Sequence, residues 1–303
     1  MCIEYNIAHS IIYVNYYIVI SDVYVPITIM NHPDRHKTKK IIDKQLSIQN
    51  FSKCNPARHR TRKNTRCLPK NVYDLANTYK IAHHLDDHEF IDKLLISDTK
   101  KKYLRKYYLR PRFPTTWKKN PTTWLDNFNI EDVMTQYTEA FSWFLFKGVL
   151  PIDFSAPSPY IKDRNICLHP EICDLDLAVE YKKGIRAIGF IFNLDPHFKG
   201  GSHWVALYID IHNINHPWCG YFDSYGYRPP ALISRFMRSF RTNHPDIELM
   251  YNSRRFQYGN SECGMYSLYF ILSMIHEVKF KTFCKKSISD AYMLELRHVL
   301  FSK

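Results

Sequence analysis

A chain of 303 residues with 45% hydrophobic and 15% aromatic content can bury one large core or two smaller ones, which excludes a mainly disordered protein. Its 42 lysines and arginines exceed its 29 acidic residues by 13, a balance that favours a polyanionic neighbour (nucleic acid, anionic membrane or acidic protein) and says nothing of fold. The 8 cysteines, irregularly spaced, do not read as a disulfide framework, and reduced thiols in a cytosolic or nuclear compartment are expected.

The chain opens on MCIEYNIAHSIIYVNYYIVISDVYVPITIM, rich in Ile, Val and Tyr. Its charge before the apolar run is acidic, and Asp22 and Pro26 interrupt that run, which argues against a signal peptide and a membrane-spanning helix. The β-branched and aromatic content suits strand. The abrupt change to NHPDRHKTKK also allows translation to start at Met30, with residues 1–29 as an extension. A basic loop without hydrophobic period, CNPARHRTRKNTRC, follows between Cys54 and Cys67. From Asn71 to Leu109 the pattern turns helical: Val72, Leu75, Ala76 and Tyr79 recur at three- and four-residue steps, then Phe90, Ile91, Leu94 and Leu95. Pro111, Pro114 and Pro121 punctuate the chain, so the expected organisation is a basic, partly helical arm over 1–115 and a second domain over 116–303.

The second part begins with an amphipathic helix in TTWLDNFNIEDVMTQYTEAFSWFLF. Ile130, Val133, Met134, Tyr137, Phe141 and Phe144 form its apolar face, and Asn129 is the expected N-cap. Strands are expected in RAIGFIFNL, HWVALYIDI and WCGYFDSYG, then a helix in PALISRFMRSF and a short strand in IELMY. Strands grouped as hairpins, with helices packed to one side, imply an α+β fold.

In FQYGNSECGMYSLYFILSMI a polar, glycine-bearing loop runs into a segment that is apolar on nearly every face. That segment reads as a buried central helix, too short and too serine-dotted to span a membrane. Cys263 falls in its first turn, where unpaired N–H groups and the positive end of the helix dipole favour a thiolate. Gly264 leaves room for a substrate backbone. On position alone, Cys263 is equally a small buried hydrophobe.

A cysteine nucleophile needs a base, an orienter for the base and donors for the oxyanion. His203 opens a strand after the glycine-bearing loop PHFKGGS, and Asp223 ends the next strand; an antiparallel pairing sets the two side by side. Asp210 and Asn215 are rival orienters, the first at the far end of the His203 strand and the second in a hairpin loop. Gln257, six residues before Cys263, lies in a loop able to fold back over the helix start, with Asn260 as an alternative donor.

WLDNFNIEDVMTQY, GGSHWVALYID, YFDSYG and QYGNSECGMY resemble, in order and spacing, the Ulp1/adenain-like cysteine proteases, the SUMO-protease and adenovirus-protease clan, and within it the branch carried by large DNA viruses. The resemblance covers roughly 117–275. It implies an α+β cysteine protease fold with a central mixed sheet and a buried helix carrying the nucleophile at its N-terminus, preceded by a mainly helical basic arm. Carried over, His203 is the general base, Asp223 its orienter, Gln257 the oxyanion-hole side chain and Cys263 the nucleophile. Glu262 stands where the family often has Asp. Trp124, Gly201, Trp204 and Gly264 are the implied substrate contacts, with Trp204 either covering a narrow channel for a glycine-rich substrate or simply packing in the core. Gly200, Gly201 and Ser202 are read as loop geometry beside His203, because a scissile bond in the active-site wall would destroy the enzyme.

Three functions follow as expectations. The leading one is a viral endopeptidase that processes structural polyproteins at Gly-Gly-X sites during virion maturation, in host cytoplasm or nucleus and in the virion. The others are deconjugation of a SUMO- or ubiquitin-like modifier, and a nucleic-acid-binding virion protein on an inactive protease fold. Such a protease needs no cofactor and no metal. CLHPEICD holds zinc-competent Cys167, His169 and Cys173 but lacks paired C-x-x-C spacing, so a satisfied loop is expected there. Arg58, Arg60, Arg62, Lys63 and Arg66 form a candidate nucleic-acid contact, the alternative being a solvated, flexible loop.

Overall fold

The computed structural model describes residues 19–20, 23–24, 46–58, 66–81, 85–157 and 165–302. The chain divides into two compact units, Met1–Lys39 and Lys40–Lys303. In the first, β1 (Val19–Ile20) pairs antiparallel with β2 (Val23–Tyr24), in keeping with the β-branched content of that stretch.

The second unit opens on three helices, α1 (Lys70–Tyr79), α2 (Asp87–Lys93) and α3 (Asp98–Tyr108). Asp86 and Ser97 start α2 and α3 by accepting from the Glu89 and Lys100 N–H groups, the local bonds that small polar residues make at helix entries. Val72, Phe90, Ile91, Leu94, Leu104 and Leu109 form their own apolar cluster. This arm is pinned to the rest of the unit by polar contacts. The buried Arg110 guanidinium donates to the Ser52 carbonyl and the Tyr137 hydroxyl, Gln136 Nε2 donates to the Leu109 carbonyl, and the Phe113 N–H donates to the Ser302 carbonyl.

Then come α4 (Asn127–Ala140), β3 (Phe144–Pro151), β4 (Ser155–Pro157), β5 (Asn165–Cys167), α5 (Pro170–Cys173), α6 (Leu177–Lys182), β6 (Ala187–Asn193), β7 (Trp204–Asp210), β8 (Trp218–Phe222), α7 (Ala231–Ser239), β9 (Glu248–Tyr251), α8 (Cys263–Ile275), α9 (Phe280–Phe283) and α10 (Asp290–Leu300). A mixed sheet in the order β3-β6-β7-β8-β9 organises them, parallel at its two outer pairs and antiparallel at the two inner ones.

Strand alternation assigns the sheet's two faces. Ala187, Ile191, Ala206, Tyr208 and Phe222 face the cluster containing α4, α8 and α10, while Ile188, Phe190, Phe192, Val205, Leu207 and Ile209 face the cluster containing α7. Small residues on the first face let α8 lie close. A Cβ at Gly189 would stand 2.9 Å from Phe144 Cζ and 3.2 Å from Ile271 Cδ1, so glycine is required by the packing there. α8 is buried at every position, as its unbroken apolar sequence implies.

Four expectations are corrected. Helices cover both faces of the sheet rather than one, because β6 and β7 are buried on both sides and need cover on each. Asp126, not Asn129, is the N-cap of α4; the two form a reciprocal capping box in which Asn129 is the third helical residue. Phe144 belongs to β3 and not to the α4 face, since the helix ends at Ala140 and the following aromatic run pairs in parallel with β6. The thiols are not all reduced: Cys54–Cys67 and Cys167–Cys173 are disulfides, their Cα atoms 5.3 and 6.3 Å apart at the necks of short local loops where bonding geometry is met. Among the described residues no helix is long and apolar enough to cross a membrane, and no cluster of three His, Cys, Asp or Glu side chains is placed to hold a metal.

Candidate active site

His203 immediately precedes β7 and Asp223 immediately follows β8, and the antiparallel register of the two strands (Ala206 opposite Phe222) puts both at one end of the sheet. His203 Nε2 lies 2.9 Å from Asp223 Oδ1, with side-chain exposures of 12% and 1%, so the bond is shielded from water. The carboxylate is itself oriented. Its Oδ1 also accepts from the Tyr225 N–H at 2.8 Å, while Asn252 accepts from the Asp223 N–H and donates to its carbonyl, both at 2.8 Å. With Nε2 committed to Asp223, Nδ1 is the ring nitrogen left free to face Cys263, whose side chain is among the groups that act on the imidazole. Burial alone would pull the His203 pKa down. The hydrogen bond to Asp223, the charge of that carboxylate and the neighbouring Cys263 side chain outweigh it and raise the pKa to about 9, so the ring is an imidazolium at neutral pH.

Cys263 is the first residue of α8 and is buried. No side chain caps this helix. Glu262, at the N-cap position, instead turns its carboxylate to Arg297. The helix's first N–H groups and the positive end of its dipole are therefore directed at the sulfur and at whatever binds beside it.

Gln257 is fully buried, and its amide is oriented from both ends. The Ser224 hydroxyl donates to Oε1 at 2.7 Å, and Nε2 donates to the Gly259 carbonyl at 3.1 Å, leaving one amide hydrogen uncommitted. The Ser224 carbonyl also accepts from the Phe256 and Gln257 N–H groups, so one residue next to Asp223 holds the Gln257 loop by backbone and side chain together.

Of the expected substrate contacts, Trp204 is buried and donates its indole N–H to the Leu125 carbonyl at 3.0 Å, while Trp124, beside Leu125, is 42% exposed. Gly201 adopts φ +85°, and a Cβ there would meet Asn193 Nδ2 at 2.2 Å, so the turn before His203 requires glycine. The room expected at Gly264 is not open. Leu125 and Trp204 fill it, with Leu125 Cβ and Cδ1 both 3.0 Å from where a Cβ would stand, and the glycine serves instead to bring α8 against these two side chains. Asp210 pairs with His212 at the far end of β7 and Asn215 sits in the β7–β8 loop, so neither rival orienter reaches His203. Asn260 is exposed, on the rim of the adjoining cleft.

Of the basic loop, Arg58 lies over the Tyr107 ring at 3.6 Å and Arg66 over Tyr73 at 4.9 Å, whereas Arg60, Arg62 and Lys63 lie outside the described residues. The candidate zinc residues Cys167 and Cys173 are bonded to each other.

Sequence reasoning passed over Ser224, Asn252, Tyr225 and Arg297. Tyr225 stacks on the His203 ring (centroids 4.9 Å apart, planes at 23°) and donates its hydroxyl to the Gly259 carbonyl. The signal for Ser224 and Tyr225 was adjacency to Asp223 in YFDSYG; Arg297, far along the chain, carried none.

Residues 164–299 match the family model described as YopJ Serine/Threonine acetyltransferase. The chain is 32% identical over 189 residues to a thiol protease of Acanthamoeba polyphaga mimivirus, an alignment covering 59% of this chain and 57% of that protein, so it spans less than two thirds of that relative's length. It is 26% identical over 212 residues to the cysteine protease of African swine fever virus, 64% of this chain and 73% of that one. The crystal structure of the African swine fever virus protease superposes with a TM-score of 0.65 at 23% identity, covering 82% of this chain and 95% of that one. This chain is thus similar in sequence to thiol proteases of large DNA viruses and shares the α+β fold of the African swine fever virus protease.

Proposed function

We propose that the chain is a viral cysteine endopeptidase that cleaves structural polyproteins at Gly-Gly-X sites during virion maturation, at the site of assembly in host cytoplasm or nucleus and in the virion. The observation that carries this reading is the shielded Asp223–His203 pair, with Cys263 close enough to act on the imidazole from an uncapped helix start. In that arrangement Cys263 Sγ attacks the scissile carbonyl carbon, and the oxyanion forms beside the Cys263 N–H and the uncommitted Gln257 amide hydrogen. As the C–N bond breaks, the His203 imidazolium gives its proton to the leaving amine. A water then adds to the thioester, giving a proton to His203; the C–S bond breaks, and acid product and the thiolate–imidazolium pair are restored. Asp223 keeps the ring in the productive tautomer throughout.

Cleavage of a SUMO- or ubiquitin-like tail is the second reading, supported by the SUMO-1 cysteine protease name of African swine fever virus relatives and by the Trp204 indole fixed beside Gly264. The acetyltransferase family match raises a third chemistry, in which the same thiolate receives an acetyl group from a thioester donor and passes it to a hydroxyl. The complete His203, Asp223, Gln257 and Cys263 set weighs against a nucleic-acid-binding protein on an inactive fold; nucleic-acid contact through the basic loop is kept as an accessory role.

Purified protein incubated separately with viral structural polyproteins, a SUMO-linked substrate, and a protein substrate plus acetyl-coenzyme A tests the three, with new termini and acetylation read by mass spectrometry. New termini after Gly-Gly in the polyproteins, lost in Cys263→Ser, are expected. Release of the modifier alone, or acetylation alone, would replace this reading.

A further inference from the structure

Beside the catalytic pair lies an open cleft of about 610 Å³ that the chemistry above does not use, walled by Tyr225, Tyr227, Arg255, Tyr258, Gly259 and Asn260. Its two sides are continuous with the site. Tyr225 is the ring stacked on His203, and the opposite wall is the loop whose Gly259 carbonyl holds the Gln257 amide. At the residue after Cys263, by contrast, Leu125 and Trp204 pack where a Gly264 side chain would stand. In the mechanism above the imidazolium hands its proton to the departing amine, which puts that amine against His203, the ring on which the cleft residue Tyr225 stacks.

The lining chemistry is specific. Arg255 sits 5.4 Å from the Tyr225 ring centroid and 4.9 Å from that of Tyr258, and its Nε donates to the Gln257 carbonyl at 2.7 Å. Those contacts orient the guanidinium while its two terminal nitrogens have no acceptor among the described residues. No carboxylate lines the cleft. The neighbouring Asp290 has both oxygens engaged, by the Tyr258 and Gly259 N–H groups and by the Tyr266 hydroxyl. Tyr227 and Tyr258 are 69% and 72% exposed, an unusual outlay of aromatic surface for two residues on one rim.

We propose that this cleft is the leaving-group subsite and that it takes an acidic side chain, Asp or Glu, from the segment on the carboxyl side of the scissile bond. Arg255 binds the carboxylate through its terminal nitrogens, and the tyrosines flank the chain that carries it. The inference rests on the protease reading.

The full-length protein is assayed on three substrates that share one Gly-Gly acyl side: a fluorogenic amide with no leaving-side residues, and two peptides with either Glu or Lys in the residues after the scissile bond. Wild type is expected to favour the Glu peptide over the Lys peptide by about tenfold in kcat/KM, mainly through KM, with the ratio shrinking in high salt. In Arg255→Glu the ratio should invert; being a comparison within one enzyme, it is immune to a general loss of activity. Hydrolysis of the fluorogenic amide with equal rates on the two peptides would overturn the subsite and leave the protease reading standing. A Glu preference that survives Arg255→Glu would also overturn the assignment to this cleft. Failure to cleave any of the three would overturn the protease reading and this subsite with it.

Discussion

Arg297 holds Glu262 in a two-pronged ion pair, Nε to Oε2 and Nη2 to Oε1, both at 2.8 Å, and the two side chains are almost wholly out of solvent. Glu262 is the residue before Cys263. The guanidinium also donates to the Thr123 carbonyl and lies 4.5 Å above the Trp117 ring, so α10 and the segment before α4 converge on the start of α8. The pair does two things: it fixes the backbone from which Cys263 emerges, and it draws a carboxylate away from helix N–H groups that it would otherwise cap. Arg297→Met should leave a buried, unpaired carboxylate and cost about 3–5 kcal/mol. The Glu262→Met/Arg297→Met double variant should recover a large part of that loss. Urea unfolding of the three proteins measures it, and a double variant no more stable than the single would refute the pairing as the cause.

Ser224 should control turnover without touching substrate. Its hydroxyl is the donor that fixes which way the Gln257 amide faces. Ser224→Ala removes that donor, so Gln257 Nε2 spends less time aimed at the oxyanion. kcat should fall by roughly tenfold with KM little changed, short of the roughly hundredfold loss expected for Gln257→Ala. Ser224→Thr, which keeps the hydroxyl, should restore most of it. Equal kcat in Ser224→Ala and wild type would show that the bond to the Gly259 carbonyl is enough to orient the amide.

The raised His203 pKa gives a pH profile with a definite sign. In the proposed mechanism the imidazolium protonates the leaving amine, so kcat/KM should decline on an alkaline limb near pH 9, where the folded protein loses that proton. Because the folded value lies above the unfolded one of about 6.5, the group's stabilising contribution is complete below pH 6.5 and is lost as pH rises through 9. Asp223→Asn removes both the charge and the carboxylate hydrogen bond that raise the value, so its alkaline limb should move toward neutrality. An unshifted limb in that variant would assign the ionisation to another group.

The parts of this architecture readable in the sequence are those whose determinants are local. His203 and Asp223 sit at strand ends whose apolar alternation marks β7 and β8, and the unbroken apolar run of α8 announces a buried helix with Cys263 at its start. β3 was hidden because FSWFLF follows α4 with aromatic residues that satisfy helical and strand periods alike; only the parallel pairing with β6 decides between them. The same holds for α7, whose amphipathic pattern does not say which face of the sheet it covers. Arg297 is one basic residue on a C-terminal helix until tertiary packing brings it to Glu262. The disulfides escape the sequence for a similar reason, since irregular spacing does not reveal which cysteines end loops that fold back on themselves.

The Cys54–Cys67 bond offers a way to separate the arm from the chemistry. It closes the basic loop, with a sequence separation of 13, onto the cluster that α1, α2 and α3 share. In the chain-entropy view a loop of that size contributes about 3 kcal/mol by constraining the unfolded chain. Cys54→Ser with Cys67→Ser should therefore lower the unfolding temperature measurably. Neither sulfur is among the groups that hold His203, Asp223, Gln257 or Cys263, so cleavage of a short peptide well below that temperature should stay within about twofold of wild type. Arg58 and Arg66, stacked on Tyr107 and Tyr73, lie within the loop, so nucleic-acid affinity across a salt series is the second readout: a looser loop should bind more weakly with a similar salt slope, because the charges that displace counterions remain. Loss of peptide cleavage in the variant, at a temperature where circular dichroism shows it folded, would make the arm part of the catalytic unit and defeat this division of labour.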